Sequence, residues 1–465
     1  MSEATPAGRV HFVGVGGSGM SALAQHRAMG GLATSGSDRA FDQDDLAAER
    51  SHLERVGVLI HPQDGSGVAG AAQVVASTAV ETEIPDLVAA RGQDVPVVHR
   101  ADVLAALLGA GPSVAIAGTS GKSTVTAMTF EILRRTGRDP GLVTGGDLLL
   151  LRAEGLRGNA YRGTGPLVAE ADESDGTLVK HAPDVGVVLN LHRDHMDTEK
   201  VLAQYRVFLE RTRGTGLVAA DAALCGLTDR SQSRPGGPRS LQTFGFADDA
   251  DLHGEDLRQT ASGSSFRVDG VTVHVPVPGA HNAENALAAL AAAKACGVPL
   301  PEGAAALAEF QGVARRFQIV GSRRNVTVVD DFAHNPTKIA AALRAAQDTA
   351  PRVLAWFQPH GFAPARFMRD ELADVLATTL RAEDRFWFGE IFYAGGSATR
   401  DLAAADLVET TRARPRGAHH HLDVVPKPQL AARVAATALP GDVVLVMGAR
   451  DPSLPSVSAG IVGAL

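Results

Sequence analysis

A short apolar run, Val114-Ala115-Ile116, leads directly into Ala117-Gly118-Thr119-Ser120-Gly121-Lys122-Ser123-Thr124, and few folds accommodate that junction. The run reads as a buried strand, the glycines as a tight turn, and the lysine and hydroxyls behind them as a helix start. In such a loop successive backbone N–H groups and the helix N-terminus converge on a polyphosphate, Lys122 reaches the β- and γ-phosphates, and Ser123 can hold Mg2+. Ile116 occupies the outer glycine position of the longer phosphate-loop pattern, so the match is to the shorter G-T-x-G-K-[ST] form. A glycine turn that merely precedes an alanine-rich helix would account for the glycines but not for the lysine. Gly118, Thr119, Ser120, Gly121, Lys122, Ser123 and Thr124 are therefore expected to contact ATP or GTP.

The chain is 465 residues long, which at about 100–200 residues per domain predicts two to four domains, with three as the working number. Hydrophobic content of 45%, charged content of 21% and 50 glycines suit alanine-, glycine- and valine-rich α/β layers rather than disorder. A net charge of -8 offers no general attraction for nucleic acid or anionic membranes, so neither is an expected partner. Anionic substrates must instead meet local basic groups and helix N-termini. Cys225 and Cys296 are the two cysteines and lack C-x-x-C spacing, which excludes a disulfide framework and a cysteine zinc site. The strand Val10–Val13 follows a short polar leader, and no apolar run reaches membrane-span length, so a cytoplasmic protein is expected.

Three regions each open on an apolar strand followed by a glycine-rich or polar turn, and they predict domains at 1–110, 111–312 and 313–465. The first alternates strands near Val10–Val15, Ala33–Ser37, Val74–Ser77 and Val95–Val98 with helical stretches, the pattern of a parallel sheet. The second adds strands at Leu167–Ala169 and Val185–Leu189, some antiparallel β-structure between Ser231 and Gly270, and an alanine-rich helix from about Ala283 to Cys296. The third places strands at Val326–Val329, Val353–Phe357, Arg385–Phe388 and Val443–Met447 between helices.

Further motifs fall at the ends of these strands. Gly14-Val15-Gly16-Gly17-Ser18-Gly19, with Asp38 some 20 residues on, is a dinucleotide fingerprint that alone would suggest NAD. Beside a phosphate loop it reads better as a diphosphate cradle for a nucleotide-linked substrate, with Gly16, Ser18, Gly19, Met20 and Asp38 as contacts. Glu170 ends the strand before Ala171-Asp172-Glu173-Ser174-Asp175, where a second divalent ion would sit, and His195 follows another strand and can donate a ring nitrogen to it. His281, Asn282 and Asn285 open the alanine-rich helix; the two amides share a face and can pair with an adenine edge, unless Asn282 simply caps the helix. In the third region an arginine of the pair Arg315-Arg316 can clamp a transferring phosphate, Asp331 can accept from a ribose hydroxyl, and His334 and His360 end strands at a cleft.

These strings, in this order and over almost the whole chain, resemble the Mur ligase family, ATP-dependent enzymes that build the peptide stem of peptidoglycan. The opening Val10-His11-Phe12-Val13-Gly14-Val15-Gly16-Gly17-Ser18-Gly19-Met20-Ser21 is similar to the branch that joins UDP-N-acetylmuramate to L-alanine, and to its relative that attaches a recycled peptide. The resemblance implies a Rossmann-like UDP-binding domain, a central P-loop ATPase domain and a Rossmann-like C-terminal domain. It implies a monomer or homodimer that uses ATP and Mg2+, and an acyl phosphate attacked by the amine of an amino acid or peptide. On the matching positions, Lys122 would hold the transferring phosphate, Ser123 one Mg2+, and Glu170 with His195 another. His281, Asn282 and Asn285 would line the nucleotide or sugar side, Arg316 and Asp331 would come from the third domain, and His334 would sit near the acceptor.

Departures from the family fall on the acceptor side. Phe332, Asn335 and Lys338 stand where the branch has tyrosine, a second histidine and glutamate. Gly361 and Pro364 stand where its L-alanine enzymes carry arginines for the amino acid's carboxylate, leaving Arg366. A folylpolyglutamate synthase-like ligase shares the pattern Ala333-His334-Asn335-Pro336 but not the domain ahead of the phosphate loop. An NAD-dependent enzyme or a non-catalytic nucleotide sensor would explain Gly14–Gly19 and leave Lys122, Glu170 and His195 without a use.

Overall fold

The structure is a computed structural model, and it describes every residue except 1–5, 44–45, 193–196, 229–236, 261–262 and 394–398. The chain divides into two compact units, one of Met1–Leu257, Ser265–Val275 and His281–Val313, the other of Arg258–Ser264, Pro276–Ala280 and Ala314–Leu465.

In the first unit, strands Val58–His61, Thr34–Ser37, Val10–Val13, Gln73–Ala76 and Val97–His99 lie side by side in that order, every pair parallel. The order reverses at Val10–Val13, and ligands of open α/β sheets bind beyond the carboxyl ends of strands at such a switch. Both faces of the sheet are covered, which is why Val10–Val13 is apolar and buried along its whole length. The helix Ser18–Met29 starts directly from the glycine turn, and Asp38 caps the short helix Arg39–Asp42 by accepting from the Ala40 N–H.

A second sheet in this unit places Ser240–Gly245, Thr215–Ala219, Val185–Val188, Ser113–Ala117, Leu167–Glu170 and Gly141–Val143 in parallel succession, with Ala160–Tyr161 antiparallel at its end. Ser113–Ala117, the strand ahead of the phosphate loop, is central and buried at all five positions. Burying Ile116 there contributes about 1.5–3 kcal/mol. In the region beyond 231, Ser240–Gly245 lies parallel to Thr215–Ala219 and, at Phe244 and Gly245, parallel to the strand Leu252–Thr260, after which Gly263–Val268 and Val271–Val275 extend the same sheet in chain order. The region's Gly/Pro/Ser-rich opening at 233–236 lies outside the described residues. The alanine-rich helix runs over Ala280–Ala295.

The second unit contains Gln318–Arg323, Val326–Asp331, Val443–Met447, Val353–Phe357, Arg385–Phe388 and His421–Val424 in that order, parallel apart from the antiparallel first strand. Helices Pro336–Thr349, Arg369–Thr379 and Ala404–Arg412 contribute to the core on one face of this sheet. Leu430–Thr437 and Leu454–Ala464 contribute to the core on the other. Doubly wound α/β architecture is thus present in both units. Among the described residues, no helix is long and apolar enough to cross a membrane.

Candidate functional site

Gly118 to Gly121 form the loop between the strand Ser113–Ala117 and the helix Lys122–Arg135, whose first turn carries Lys122, Ser123 and Thr124. Gly121 carries φ +86°, a left-handed conformation that side chains rarely adopt. A Cβ there would also lie 2.5 Å from Asn285 Oδ1, so the glycine lets the loop close against the helix that bears Asn285. Asn285 Nδ2 donates to Asn282 Oδ1 at 3.3 Å, and both amides are buried. Because the helix begins at Ala280, Asn282 lies inside it and is not its cap; His281 is exposed.

Lys122 points back over its own loop. Its ammonium donates to Gly118 O at 2.6 Å and to Glu173 Oε2 at 2.9 Å, with Asp172 Oδ1 at 3.6 Å. Burial opposes its charge, but Glu173, Asp172 and Glu170 outweigh that and hold the ammonium above the ordinary lysine range. Burial pushes the Glu173 carboxyl up despite the attraction of Lys122. The lysine is therefore a fixed positive charge among carboxylates, positioned at the mouth of the phosphate loop.

Glu170 ends its strand with Oε1 accepting from the Thr144 hydroxyl and from the Gly145 N–H at 3.1 Å. Next to it, a Cβ on Gly146 would lie 3.1 Å from Ser123 Cβ, so that glycine keeps the backbone close to the loop hydroxyl. A serine hydroxyl and an oriented carboxylate are hard oxygen donors of the kind Mg2+ takes, and they fit that ion. His195, the nitrogen donor expected beside them, lies outside the described residues, as does Asp194. His192 is exposed, and its backbone N–H donates to Thr119 Oγ1 at 2.9 Å.

The residue that organises the loop was not singled out from sequence. Asn190 Oδ1 accepts from Thr119 Oγ1 and from the Ser120 N–H, both at 2.9 Å, while its Nδ2 donates to Ser120 O at 3.0 Å. Tyr205 in turn donates its hydroxyl to Asn190 O at 3.2 Å. The available signal was its position: a polar residue just past the strand Val185–Val188, whose parallel neighbour feeds the phosphate loop. Asn190→Ala removes three hydrogen bonds from the loop and leaves the Ser120 amide groups to reorganise. A cost of about 1.5–2 kcal/mol predicts KM for ATP raised roughly 10- to 30-fold, with binding of the other substrates unchanged. Unaltered KM for ATP would refute this role for Asn190.

The glycine loop of the first sheet is held from within. Gly14 takes φ +75°, and the Gly16 N–H donates to Asp38 Oδ2 at 2.9 Å. The Asp38 carboxylate thus ties the loop at Gly16 to the start of the short helix at Ala40. Ser18 and Gly19 begin the following helix, whereas the Met20 side chain is buried in the core, so only its backbone can meet a ligand. Two arginines flank this loop: a Cβ on Gly19 would lie 3.3 Å from Arg100 Nη1, and Arg157 Nη2 donates to Gly16 O at 3.4 Å. Neither was identified from sequence, because each comes from a distant segment.

In the second unit, Arg315 and Phe317 both adopt left-handed φ, +59° and +48°, around Arg316. Such strain persists only where surroundings enforce it. Asp331 does so, accepting from the Phe317 and Ala333 N–H groups, each at 2.7 Å. Arg315 is anchored by Asp330 and by the carbonyls of Gly448 and Ala449. Both Arg315 and Arg316 lie over the Phe332 ring, at 5.1 and 5.0 Å from its centroid. Phe332, His334 and His360 form an edge-to-face series with centroids 5.7 Å apart at each step. Asn335, at the family's second-histidine position, caps the helix Pro336–Thr349 by accepting from the Lys338 N–H at 2.9 Å.

Burial, together with the charges of Lys338 and Arg316, lowers the His334 pKa to about 4. With Nδ1 2.9 Å from Phe332 O, the neutral ring donates there and leaves Nε2 as an acceptor. An NMR titration of selectively labelled imidazoles is expected to find His334 neutral through pH 5.5, taking up its proton near pH 4. A midpoint at or above 6.5 would contradict the buried placement.

Comparison with known proteins came to the same architecture. Residues 9–111 match the model described as Mur ligase family, catalytic domain; residues 116–293 match the Mur ligase middle domain; residues 315–450 match the Mur ligase, glutamate ligase domain. The chain is 38% identical over 460 residues to the UDP-N-acetylmuramate--L-alanine ligase of Paenarthrobacter aurescens (strain TC1), covering 96% of this chain and 94% of that protein. It is 37% identical to the protein of the same name from Bradyrhizobium sp. (strain ORS 278), covering 96% and 95%. Among solved structures it is similar to UDP-N-acetylmuramate-alanine ligase MurC from Thermotoga maritima, with TM-score 0.79, 25% identity and 98% of each chain covered. It also resembles in fold the murein peptide ligase from Psychrobacter arcticus, with TM-score 0.68, 22% identity and 98% of each chain covered.

Proposed function

The chain belongs to the Mur ligase family and is an ATP-dependent amide ligase, and from that premise we propose that it joins the lactyl carboxylate of UDP-N-acetylmuramate to the amine of an L-alanine-type acceptor. The observation that carries this reading is the Lys122 ammonium fixed between the phosphate loop and the Glu170–Glu173 carboxylates, with the second glycine loop in the same unit. A phosphoryl transfer needs that positive charge, and a nucleotide-linked carboxylate needs that cradle. The NAD alternative is disfavoured because it leaves the Lys122 ammonium and the oriented Glu170 carboxylate without a use.

We assign the steps as follows. A lactyl carboxylate oxygen attacks the γ-phosphorus of ATP as the bond to the ADP oxygen breaks, giving an acyl phosphate and ADP. Lys122 balances the charge on the transferring group, and the loop amides of Gly121 to Ser123 hold the phosphates. Ser123 and Glu170, with His195, would hold Mg2+, which when bound neutralises phosphate charge. The acceptor nitrogen then attacks the acyl carbon, phosphate leaves, and the ammonium proton passes to that phosphate or to solvent. His334, neutral and accepting through Nε2, orients the amine rather than storing its proton. Arg316 contributes positive charge toward the phosphate, and Asn282 and Asn285 the nucleotide side. Asp331 acts by holding the Arg315–Phe317 turn.

The domain division at 1–110, 111–312 and 313–465, a cytoplasmic location where both nucleotides are available, and a monomeric or dimeric state belong to this reading. The test is ADP release measured with each substrate omitted in turn. ADP formed only when UDP-N-acetylmuramate and an amine acceptor are both present supports it; ADP formed without the UDP-sugar, or never, refutes it.

A further inference from the structure

We propose that Asn159 is a positioning residue for ligation, setting the glycine loop of the first sheet against the Glu170 end of the second; the inference rests on the functional reading above. Asn159 is 0% exposed and lies just before the strand Ala160–Tyr161. Its Nδ2 donates to Ser18 O and to Ser21 Oγ, each at 2.9 Å, and its Oδ1 accepts from Gln25 Nε2 at 2.8 Å. The Ser21 hydroxyl donates to Ser18 O at 2.9 Å, and Gln25 Nε2 also reaches Ser21 O at 3.1 Å. Both amide hydrogens and the amide oxygen are therefore used, which leaves the side chain one orientation.

The main chain of Asn159 completes the bridge. Its carbonyl accepts from the Thr144 N–H at 3.0 Å, and the Thr144 hydroxyl donates to Glu170 Oε1. Gly158, immediately before it, adopts φ +110°, and a Cβ there would lie 2.9 Å from Leu148 N and O, so the segment is locked against 144–148. One buried residue thus connects Ser18, at the start of the diphosphate-cradle helix, with Thr144, which aims the Glu170 carboxylate. A carboxylate carried by a UDP-sugar must meet phosphorus within a near-attack distance, and that distance depends on how these two loops are registered. A purely structural amide pair would also be buried and satisfied, but it would have no reason to join these two loops rather than any other pair of surfaces.

A register error of about 1 Å costs on the order of 10²-fold in rate. Asn159→Ala is therefore expected to lower kcat about 30- to 100-fold per folded molecule, with KM for ATP and Kd for UDP-N-acetylmuramate by calorimetry within about threefold of the parent. Gln25→Ala, which removes one of the three side-chain links, is expected to lower kcat several-fold in the same way. Hydrogen exchange on Asn159→Ala should show lost protection at both 18–21 and 144–146. A variant with a lowered thermal midpoint but parental kcat, or with KM rising while kcat holds, overturns the proposal. If Asn159→Ala does not fold, Gln25→Ala decides by the same readings. Failure of the parent enzyme to ligate UDP-N-acetylmuramate would overturn the functional reading instead, and the exchange result would still test the bridge.

Discussion

Lys122→Ala is expected to reduce turnover on the order of 10²–10³-fold, equivalent to about 3–4 kcal/mol of lost transition-state stabilisation. The ammonium is held by Gly118 O and by Glu173, with Asp172 and Glu170 nearby, so the loop charge is fixed before phosphate arrives and needs little reorganisation. Removing it deprives the transferring phosphate of that ammonium and leaves the carboxylates facing phosphate uncompensated. The fold should survive, because Glu173, already pushed upward by burial, can take a proton instead of remaining as an unpaired buried charge. Lys122→Arg is not expected to rescue, since a planar fork cannot replace a compact ammonium beneath the loop. The measurements are single-turnover ADP formation and calorimetric binding of UDP-N-acetylmuramate, which should stay within a few-fold because its cradle lies on the other sheet. Turnover within tenfold of the parent would remove Lys122 from the chemistry and the phosphate-loop assignment with it.

How much of this was legible in the chain depended on whether the physics was local. The phosphate loop and the first glycine loop are set by backbone conformations that glycine alone adopts easily, at Gly14 and Gly121, next to strands apolar enough to be recognised. The strands at 10–13, 113–117, 353–357 and 443–447 were visible for the same reason. Val58–His61, Gly141–Val143, Gln318–Arg323 and His421–Val424 were not, being short, partly polar or at sheet edges, where pairing rather than composition makes the strand. The site divides along the same line. Lys122 and Glu170 follow from motif position, but Asn190, Thr144, Arg100 and Asn159 act through partners 26 to 141 residues away, and no local pattern announces such contacts. Met20, a motif residue read as a contact, puts its side chain into the core, which leaves its backbone to face a ligand. Asp38 was read as a contact of the diphosphate cradle and Asp331 as a ribose acceptor, and the backbone N–H groups that engage both oxygens of each are a structural role that no motif announces.

The second large effect is expected at the acceptor. Where L-alanine enzymes of this branch carry arginines, Gly361 has φ +71° and ψ 134°, a conformation open to glycine and costly for other residues, and its N–H donates to Phe392 O at 2.8 Å. Arg366, the remaining basic group, is paired with Asp401 and also donates to Thr399 O at 3.1 Å. A free amino acid therefore meets no forked guanidinium at 361 or 364 and must compete with Asp401 for the one at 366. Losing a charge-assisted hydrogen bond of about 1.5–3 kcal/mol predicts L-alanine binding roughly 10- to 100-fold weaker than with the arginines present. Gly361→Arg alone should not restore it: the left-handed backbone costs about 1–3 kcal/mol, and the new Cβ would lie 3.2 Å from Pro364 Cδ. Pro364→Arg supplies a fork from a helical position without that backbone cost, so it should lower KM for L-alanine where Gly361→Arg does not. Initial rates across L-alanine, L-serine, glycine and L-Ala-γ-D-Glu, with product masses, test this, and parental saturation by L-alanine at low micromolar concentration would show that another group grips the carboxylate. If a larger acceptor saturates first, the glycine and proline are a fitted opening for it, because the space an arginine would occupy is then filled by substrate.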